Sequence, residues 1–402
     1  MRQDTQVRFI RGLKQQIDEK RNIDCGNQLR LPTSTYTDPA RAADEWDILF
    51  RRTPQIVGLS VDLPGPNSFF TIDDLGTPIL CTRDEDGRFR SFLNVCRHRG
   101  HIVEGEPSGT KRRFVCPFHA WSYDPGGQLV GVPREVDFGA VDPTCNGLVE
   151  LLASERHGLL WVCVDPDPAI TVEELTSEVG AELDSWNLTS VVPASDIRWD
   201  TECNWKSTID TYGETYHFGT LHRDTVALAF HGHATEYEEY GRNHVMVFAS
   251  HQIDEVVTRP EPDWRVVQAG IPVYFLYPNV ELAFLGGVVA LIRIYPVGPD
   301  PHRSSSKVTY YRHPQNTADV RSITGTPEAA ETDAATVDVV DLATGFGNVI
   351  DGEDYPAAES THRGAAAMPG GHFLLGRNEP PVQHFHQVCR EGLGLPPLDL
   401  LS

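Results

Sequence analysis

The sequence lacks the features of a membrane, secreted or nucleic-acid-binding protein. No run approaches about 18 apolar residues, and the start at Met1 opens no apolar segment of the kind that forms a secretion signal. Positive charge is scarce, since 34 basic against 57 acidic residues give a net charge of -23. This balance disfavours nucleic acid or an anionic membrane as a partner and would attract a basic redox protein. We therefore expect a cytoplasmic protein.

Nucleotide-binding and disulfide patterns are also missing. No Gly-x-Gly-x2-Gly follows a predicted strand, so no nucleotide or flavin site is visible. Six of the eight cysteines lack the spacing of a disulfide framework. In a reducing compartment we expect these six to be buried thiols. These six are Cys25, Cys81, Cys145, Cys163, Cys203 and Cys389. At 402 residues the chain is too long for one ordinary core, which predicts two domains.

The other two cysteines belong to a specific motif. Cys96-x-His98 is followed, after seventeen residues, by Cys116-x2-His119. Two thiolates and two imidazoles on two short loops are the ligands of a Rieske 2Fe-2S cluster. A structural zinc site is the alternative, but zinc loops usually pair Cys with Cys and His with His. The motif therefore predicts a Rieske cluster.

A second group of metal-ligand residue types lies about a hundred residues later. If residues 204–216 form a helix, Asp210, Glu214 and His217 share one face. His222 then follows after a break, so that both imidazoles can converge. Two imidazoles and a carboxylate with open positions are the arrangement in which ferrous iron activates dioxygen. A His-x4-His pair alone is also compatible with two surface histidines, and a carboxylate ligand must come from elsewhere.

Together the two motifs resemble the catalytic alpha subunits of Rieske non-heme iron ring-hydroxylating oxygenases. The likeness is close in Cys-Arg-His-Arg-Gly, which begins at Cys96, and in the stretch from Cys116 to Pro133. Later it depends on Asn-Trp-Lys, which begins at Asn204, and on Glu-x2-Tyr-His-x4-His, which begins at Glu214.

The pattern of residue types and the resemblance together predict an α+β fold. The spacing of apolar residues within residues 1–50 predicts N-terminal helices, which in the family pack on the catalytic domain. Residues 51–165 consist of short β-branched or aromatic runs split by turn signals, which predicts the all-β Rieske iron-sulfur domain. Residues 166–402 combine helices with runs that indicate an antiparallel sheet. The resemblance implies that this last region is a helix-grip catalytic domain with mononuclear iron.

The resemblance implies that His217 and His222 are the imidazole ligands of the mononuclear Fe(II). In the family the carboxylate follows an acidic neighbour on the last long helical region, which matches Asp354. A proline two residues later is a departure, because it disfavours an unbroken helix and would make Asp354 a helix cap. Asp351 and Glu353 therefore stay open as alternatives.

The resemblance gives Glu214 a different role. In the family an acidic residue three positions before the first ligand histidine lies between the cluster of one subunit and the iron of the next. A ring of three subunits then completes the path for electrons. Glutamate instead of the common aspartate is similar to members that oxidise quaternary ammonium compounds. Asp210 and Asn204 are expected to support the site, with plain helix stabilisation as the alternative.

The implied activity is that of a terminal oxygenase. It would use dioxygen and electrons from a reductase, with or without a ferredoxin and ultimately from NAD(P)H, to hydroxylate an aromatic or other hydrophobic small molecule. The alternative is a Rieske monooxygenase that performs oxidative N- or O-demethylation or carbon-nitrogen cleavage. A third hypothesis is an electron-transfer protein or a zinc-stabilised binding protein. A homotrimer is expected, and a beta subunit stays open. Four residues are candidates for the pocket or for the core: Phe218, Leu221, Phe275 and Phe284.

Overall fold

The computed structural model describes residues 1–313 and 339–401. These residues form two compact units. One unit joins Met1–Leu49 to Leu175–Ser402, and the other is Phe50–Glu174. The first unit combines helices with antiparallel sheets, whereas the described residues of the second are mainly short antiparallel strands. The predicted α+β class is confirmed.

The unit Phe50–Glu174 is built on three small antiparallel sheets. In spatial order their strands are Leu152–Arg156, Leu159–Cys163 and Gln55–Leu59; Phe89–Leu93, Ile79–Arg83, Ser68–Ile72 and Ser108–Thr110; and Phe114–Val115, Ser122–Tyr123 and Leu129–Gly131. A short helix, Glu135–Phe138, follows the third sheet. The buried apolar cluster of this unit includes Phe69, Phe92 and Phe114 together with Cys96 and Cys116. The core therefore reaches the two cysteines of the Rieske motif.

The other unit contains a seven-stranded antiparallel sheet, called here the large sheet. In spatial order its strands are Val192–Thr201, Ser304–Arg312, Val288–Pro296, Val280–Leu285, Gly270–Leu276, Asn243–Ser250 and Phe230–Tyr240. The five inner strands are almost wholly buried, as their β-branched and aromatic sequences predict. The two outer strands are polar and partly exposed, which suits the edges of a sheet.

The first helix has 17 residues, the other described helices up to residue 269 are short, and those from residue 339 onwards have 11 to 13 residues. In chain order the helices are Gln3–Glu19, Ser34–Thr37, Pro39–Glu45, Val172–Thr176, Gly180–Ser185, Trp205–Asp210, Ile253–Val256, Val266–Ala269, Val339–Val349, Tyr355–Ala367 and Pro380–Gly392. Two π-helical turns, Trp46–Arg51 and Ile350–Asp354, and a small sheet of His372–Leu375, Gln28–Pro32 and Asp399–Leu401 complete the elements that position the site. Among the described residues no helix has both the length and the apolar character needed to span a bilayer.

The first helix packs on an outer strand of the large sheet. Its Phe9, Ile10 and Leu13 are fully buried. The Gln16 side chain donates to the Thr235 carbonyl and accepts from the Thr235 N–H, both at 2.9 Å. An outer strand leaves such backbone groups unpaired, and Gln16 satisfies two of them.

A buried ion pair anchors the helix Trp205–Asp210. The Lys206 ammonium and the Trp205 indole N–H both donate to Glu45 Oε2, at 2.5 and 3.0 Å. Glu45 and Lys206 are 2% and 1% exposed. Burial lowers the pKa of Lys206, although the Glu45 carboxylate opposes this effect. The N-terminal helices are thus tied to the helix that precedes the candidate iron ligands.

Candidate iron sites

The four predicted cluster ligands lie on two loops with the same backbone hydrogen bonds. In each loop the cysteine N–H donates to the carbonyl five residues later at 2.8 Å. The cysteine carbonyl accepts from the N–H four residues later at 2.9 Å. That fourth residue has a left-handed backbone in both loops, with φ of 76° at Gly100 and 57° at Ala120. The motifs Cys-x-His and Cys-x2-His are therefore presented by equivalent turns.

The side chains of these loops fit a Rieske cluster. Cys96 and Cys116 are 3% and 2% exposed, and the His98 and His119 rings lie 4.5 Å apart between centroids. His98 Nδ1 is buried and has no hydrogen-bond partner within the described ranges. A buried polar atom without a partner is costly, so this nitrogen suits a metal ligand. Two thiolates for one iron and two imidazoles for the other complete the donor set.

An aromatic residue supports the first cysteine. The Tyr123 hydroxyl lies 3.4 Å from Cys96 Sγ and accepts from the Arg97 N–H at 3.0 Å. Burial raises the pKa of Tyr123, so the hydroxyl keeps its proton. A cysteine thiolate can only accept, and Tyr123 is therefore placed to donate to Cys96 when the sulfur is ligated.

His217, His222 and Asp354 converge on one point, and their ligand atoms all lie within 4.8 Å of one another. Asp354 Oδ1 is 3.1 Å from His222 Nε2 and 3.6 Å from His217 Nε2. Neighbouring ligands of an octahedral ion with bonds of about 2.1 Å are about 3 Å apart. Both distances from Asp354 are close to this spacing, so His217, His222 and Asp354 would together supply two imidazoles and one carboxylate to a ferrous ion. Within residues 1–313 and 339–401 they are the only such group.

Asp354 ends the π-helical turn Ile350–Asp354, which joins two α-helices. Its backbone stays helical, at φ -66° and ψ -50°, and its side chain makes no capping bond. Asp354 therefore occupies the N-cap position of the helix Tyr355–Ala367, as Pro356 led us to expect, but its side chain faces the two histidines instead of capping the helix. A π turn uses i→i+5 bonds and is wider than an α turn, so the proline ring that follows is accommodated. Of the two alternatives, Asp351 is exposed and Glu353 contacts an imidazole instead of the ligand point.

Each imidazole is held by a glutamate through Nδ1. His217 Nδ1 lies 2.5 Å from Glu214 Oε1, and His222 Nδ1 lies 2.6 Å from Glu353 Oε2. A carboxylate only accepts, so both Nδ1 atoms carry hydrogen and both Nε2 atoms face Asp354. Sequence reasoning weighed Glu353 as a ligand and missed this contact. The signal was present in the acidic pair Glu353-Asp354, whose members serve the two nitrogens of one ring.

The electrostatics of the site favour a cation. Burial lowers the pKa of His217, but hydrogen bonds with Asp354 and Glu214 outweigh it and raise that pKa to about 9. The pKa of His222 is raised for the same reason, because Asp354 and Glu353 overcome its burial. Burial alone would raise the pKa of Asp354, yet the two histidines lower it. The carboxylates that stabilise positive charge on the imidazoles here would equally stabilise a metal cation.

The predicted helix over residues 204–216 is wrong beyond Asp210. The helix ends there, and Glu214, His217 and His222 lie on the turn-rich segment 211–229, called here the histidine loop. A Cβ on Gly213 would lie 2.8 Å from Cγ2 of a valine on the helix Pro380–Gly392. Close approach at this glycine lets the chain leave the helix early, so the ligands converge through a loop.

Asn204 and Asp210 lie at the two ends of the helix Trp205–Asp210 and do not line the cavity. Asn204 Oδ1 caps the helix by accepting from the Lys206 N–H at 3.0 Å. Asp210 accepts from the Tyr36 hydroxyl at 2.6 Å and contacts His386 Nε2 at 2.9 Å. Both residues thus fix the helix before the histidine loop, and a further role in the site stays a prediction.

A cavity of about 420 Å³ opens on the three ligand residues. Its apolar lining consists of Phe218, Val226, Leu228, Phe230, Met246, Phe248, Ile271, Val273, Ala283, Leu285, Phe346, Val349 and Ile350. Of the four pocket candidates, Phe218 lines it, whereas Leu221, Phe275 and Phe284 do not. Phe284 stacks on Trp186 in the core, with 3.6 Å between the ring centroids.

Family models identify both halves of the chain. The model of the ring hydroxylating alpha subunit (catalytic domain) matches residues 188–394, just over half of the chain. The chain belongs to this family of oxygenase alpha subunits. The Rieske 2Fe-2S domain model matches residues 53–144 of the alpha subunit. The resemblance is therefore confirmed, and the alpha subunit contains a Rieske domain and a catalytic domain of the kind that binds mononuclear iron.

Known proteins similar to this alpha subunit fall into two groups. Choline monooxygenase of Spinacia oleracea is 25% identical over 364 residues, which cover 88% of this chain and 76% of the relative. The structure of the quaternary ammonium Rieske monooxygenase CntA has a TM-score of 0.73 at 22% identity, over 90% of this chain and 95% of that one. Naphthalene 1,2-dioxygenase has a TM-score of 0.71 at 17% identity, over 92% and 93%. These two structures show the shared fold.

The predicted enzyme class is confirmed by the family. The alpha subunit is a Rieske oxygenase, an oxidoreductase that incorporates oxygen. It belongs to oligomeric oxygenases that take electrons from a partner reductase or ferredoxin. Monooxygenases of quaternary ammonium compounds and aromatic-ring dioxygenases both occur among the similar proteins, so both predicted activities are consistent with the family.

Proposed function

We propose that this alpha subunit hydroxylates an aromatic or similarly hydrophobic small molecule. The observation that carries the proposal is the apolar cavity that opens on His217, His222 and Asp354. Its volume of about 420 Å³ lies within the range of about 300–1,000 Å³ that is typical of small-molecule sites. On three neighbouring strands of the large sheet, Met246, Val273 and Ala283 are paired in register and line the wall together.

We assign the iron sites as follows. The cluster is held by Cys96, His98, Cys116 and His119, and the ferrous iron by His217, His222 and Asp354. When bound, the iron activates dioxygen with electrons that the cluster supplies. The protein's own part is to exclude water and to orient the substrate. The apolar wall holds a substrate carbon on the open side of the three ligands, while the two glutamates keep a proton on each Nδ1.

The domain division belongs to the proposal. We assign residues 51–165 to the Rieske domain, residues 166–402 to the catalytic domain, and residues 1–50 to N-terminal helices that pack on the catalytic domain. The packing of the first helix on the large sheet supports the last assignment.

We also propose a homotrimer in which Glu214 lies between the cluster of one copy and the iron of the next. The family resemblance suggests this role. Two observations support it: Glu214 bonds to Nδ1 of His217, and its side chain is 17% exposed. Replacement of Glu214 by Gln should lower substrate-coupled oxygen consumption while three irons per chain are retained. Unchanged coupled turnover would contradict the role.

Oxidative demethylation or carbon-nitrogen cleavage of a quaternary ammonium compound is the second candidate. Glutamate at position 214 favours it, and so does the similarity to choline monooxygenase. Five aromatic rings also line the cavity, and the faces of such rings bind quaternary ammonium groups. They belong to Tyr212, Phe218, Phe230, Phe248 and Phe346.

A product screen separates the two candidates. The oxygenase is supplied with NADH, a reductase and a ferredoxin, and is offered naphthalene, biphenyl, choline and carnitine. A hydroxylated arene without formaldehyde supports the first candidate, whereas formaldehyde or a released amine from a methylammonium substrate supports the second. Ala283→Phe, which narrows the cavity, is the control and should lose product while the iron content is unchanged. If the variant still forms as much product as wild type, the assignment of the cavity is contradicted.

A further inference from the structure

Two consecutive carboxylates hold the imidazole of His222. Glu353 Oε2 lies 2.6 Å from Nδ1, and Asp354 Oδ1 lies 3.1 Å from Nε2. His222 is 2% exposed, so water does not compete for either nitrogen. The ring is therefore fixed in rotation by two contacts from one π-helical turn.

The same oxygen of Glu353 binds a second group on the histidine loop. Thr225 Oγ1 donates to Glu353 Oε2 at 2.9 Å. The Thr225 N–H in turn donates to the His222 carbonyl at 3.1 Å. Glu353 thus joins the turn that carries Asp354 to the loop that carries His222.

We propose that Glu353 is a positioning residue for the iron. By accepting from Nδ1 it selects the tautomer of His222 whose Nε2 is free to bind metal, and it fixes the ring plane towards Asp354. A carboxylate behind a metal-bound imidazole also strengthens the ligand, and loss of such a partner typically lowers metal affinity by about 10–100-fold. The inference rests on the proposed iron site and adds Glu353 to it.

Asp351 provides a matched control. It lies on the same π-helical turn and carries the same charge, but it is exposed and contacts neither imidazole nitrogen in the part of the chain that the structure describes. A general electrostatic effect of acidic residues near the iron would appear in variants of both residues. An effect through His222 appears only in Glu353 variants.

The experiment measures Fe(II) affinity in the whole protein, with its cluster intact. Wild type, Glu353→Gln, Glu353→Ala, Thr225→Val, Asp351→Asn and Asp354→Ala are stripped of the mononuclear iron and titrated anaerobically with Fe(II) against a chelator. Cluster absorbance and sulfide content confirm that the other two irons are retained. We expect Glu353→Ala to bind Fe(II) about 10–100-fold more weakly, Glu353→Gln about 10-fold more weakly, and Asp351→Asn within about twofold of wild type.

Three results would overturn the proposal, and they are distinguishable. If Asp354→Ala loses the iron but Glu353→Ala binds it like wild type, the iron site stands and the role of Glu353 is wrong. If Thr225→Val weakens binding as much as Glu353→Ala, Glu353 acts by bracing the loop. If wild type binds no third iron, the proposed site itself fails and Glu353 has nothing to position.

Discussion

Removal of the Glu45 carboxylate should destabilise the oxygenase strongly. Lys206 is 1% exposed, and Glu45→Ala leaves its ammonium without the carboxylate that pairs with it. The variant also removes the Glu45 oxygen to which the Trp205 N–H donates. Breaking one side of a buried ion pair costs about 3–5 kcal/mol. In a domain of this size 1 kcal/mol corresponds to roughly 2–4 °C. We therefore expect calorimetry to show a fall in Tm of roughly 6–20 °C.

A matched control and a double variant sharpen this test. Asp44→Ala removes the neighbouring exposed carboxylate and should change stability by less than about 0.5 kcal/mol. Glu45→Met combined with Lys206→Met replaces both charges by apolar groups, which is often neutral or stabilising at buried pairs. The double variant should therefore be more stable than Glu45→Ala.

The destabilisation should also depend on pH. Burial lowers the pKa of Lys206 in the folded protein, and loss of Glu45 removes the charge that opposes this. The unfolded state then binds more protons than the folded state, so the stability of Glu45→Ala should rise with pH towards the ordinary lysine pKa. A loss below about 1 kcal/mol that is the same at every pH would refute the reasoning.

Three further predictions concern the iron sites. Asp354→Ala should reduce the iron content from three to two per chain, whereas Asp351→Ala should retain three, as measured by metal analysis. Ala120→Gly should stabilise the Rieske unit by about 0.5–1 kcal/mol in thermal unfolding, because alanine at φ 57° is strained and glycine is not. Tyr123→Phe should lower the midpoint potential of the cluster by roughly 40 mV, which corresponds to one lost hydrogen bond of about 1 kcal/mol to Cys96, as measured by redox titration.

The large sheet shows where sequence reasoning succeeds. Its five inner strands are buried on both faces, and their β-branched and aromatic runs predicted them. The outer strands Val192–Thr201 and Phe230–Tyr240 were missed. Their sequences contain proline, histidine and several acidic residues, because a sheet edge exposed to water is protected by charge rather than by apolar side chains.

The candidate iron site shows what residue spacing alone did not predict, because its carboxylate was chosen through the family resemblance with Asp351 and Glu353 left open. The Cys and His spacing identified the cluster because its ligands are close in sequence and lie on equivalent turns. The convergence of His222 with Asp354 joins residues 132 positions apart. It depends on an early helix end at Asp210 and on a π-helical turn, and neither has a clear local signal. The acidic pair Glu353-Asp354 is visible in the sequence, but which imidazole nitrogen each member contacts follows only from that convergence.

The central claim is that one chain holds two unlike iron centres. Iron and acid-labile sulfide per chain, measured together on the anaerobically reconstituted oxygenase, test it most directly. We predict three irons and two sulfides. Two irons with two sulfides would contradict the mononuclear site at His217, His222 and Asp354. Metal without sulfide would contradict the Rieske cluster as well.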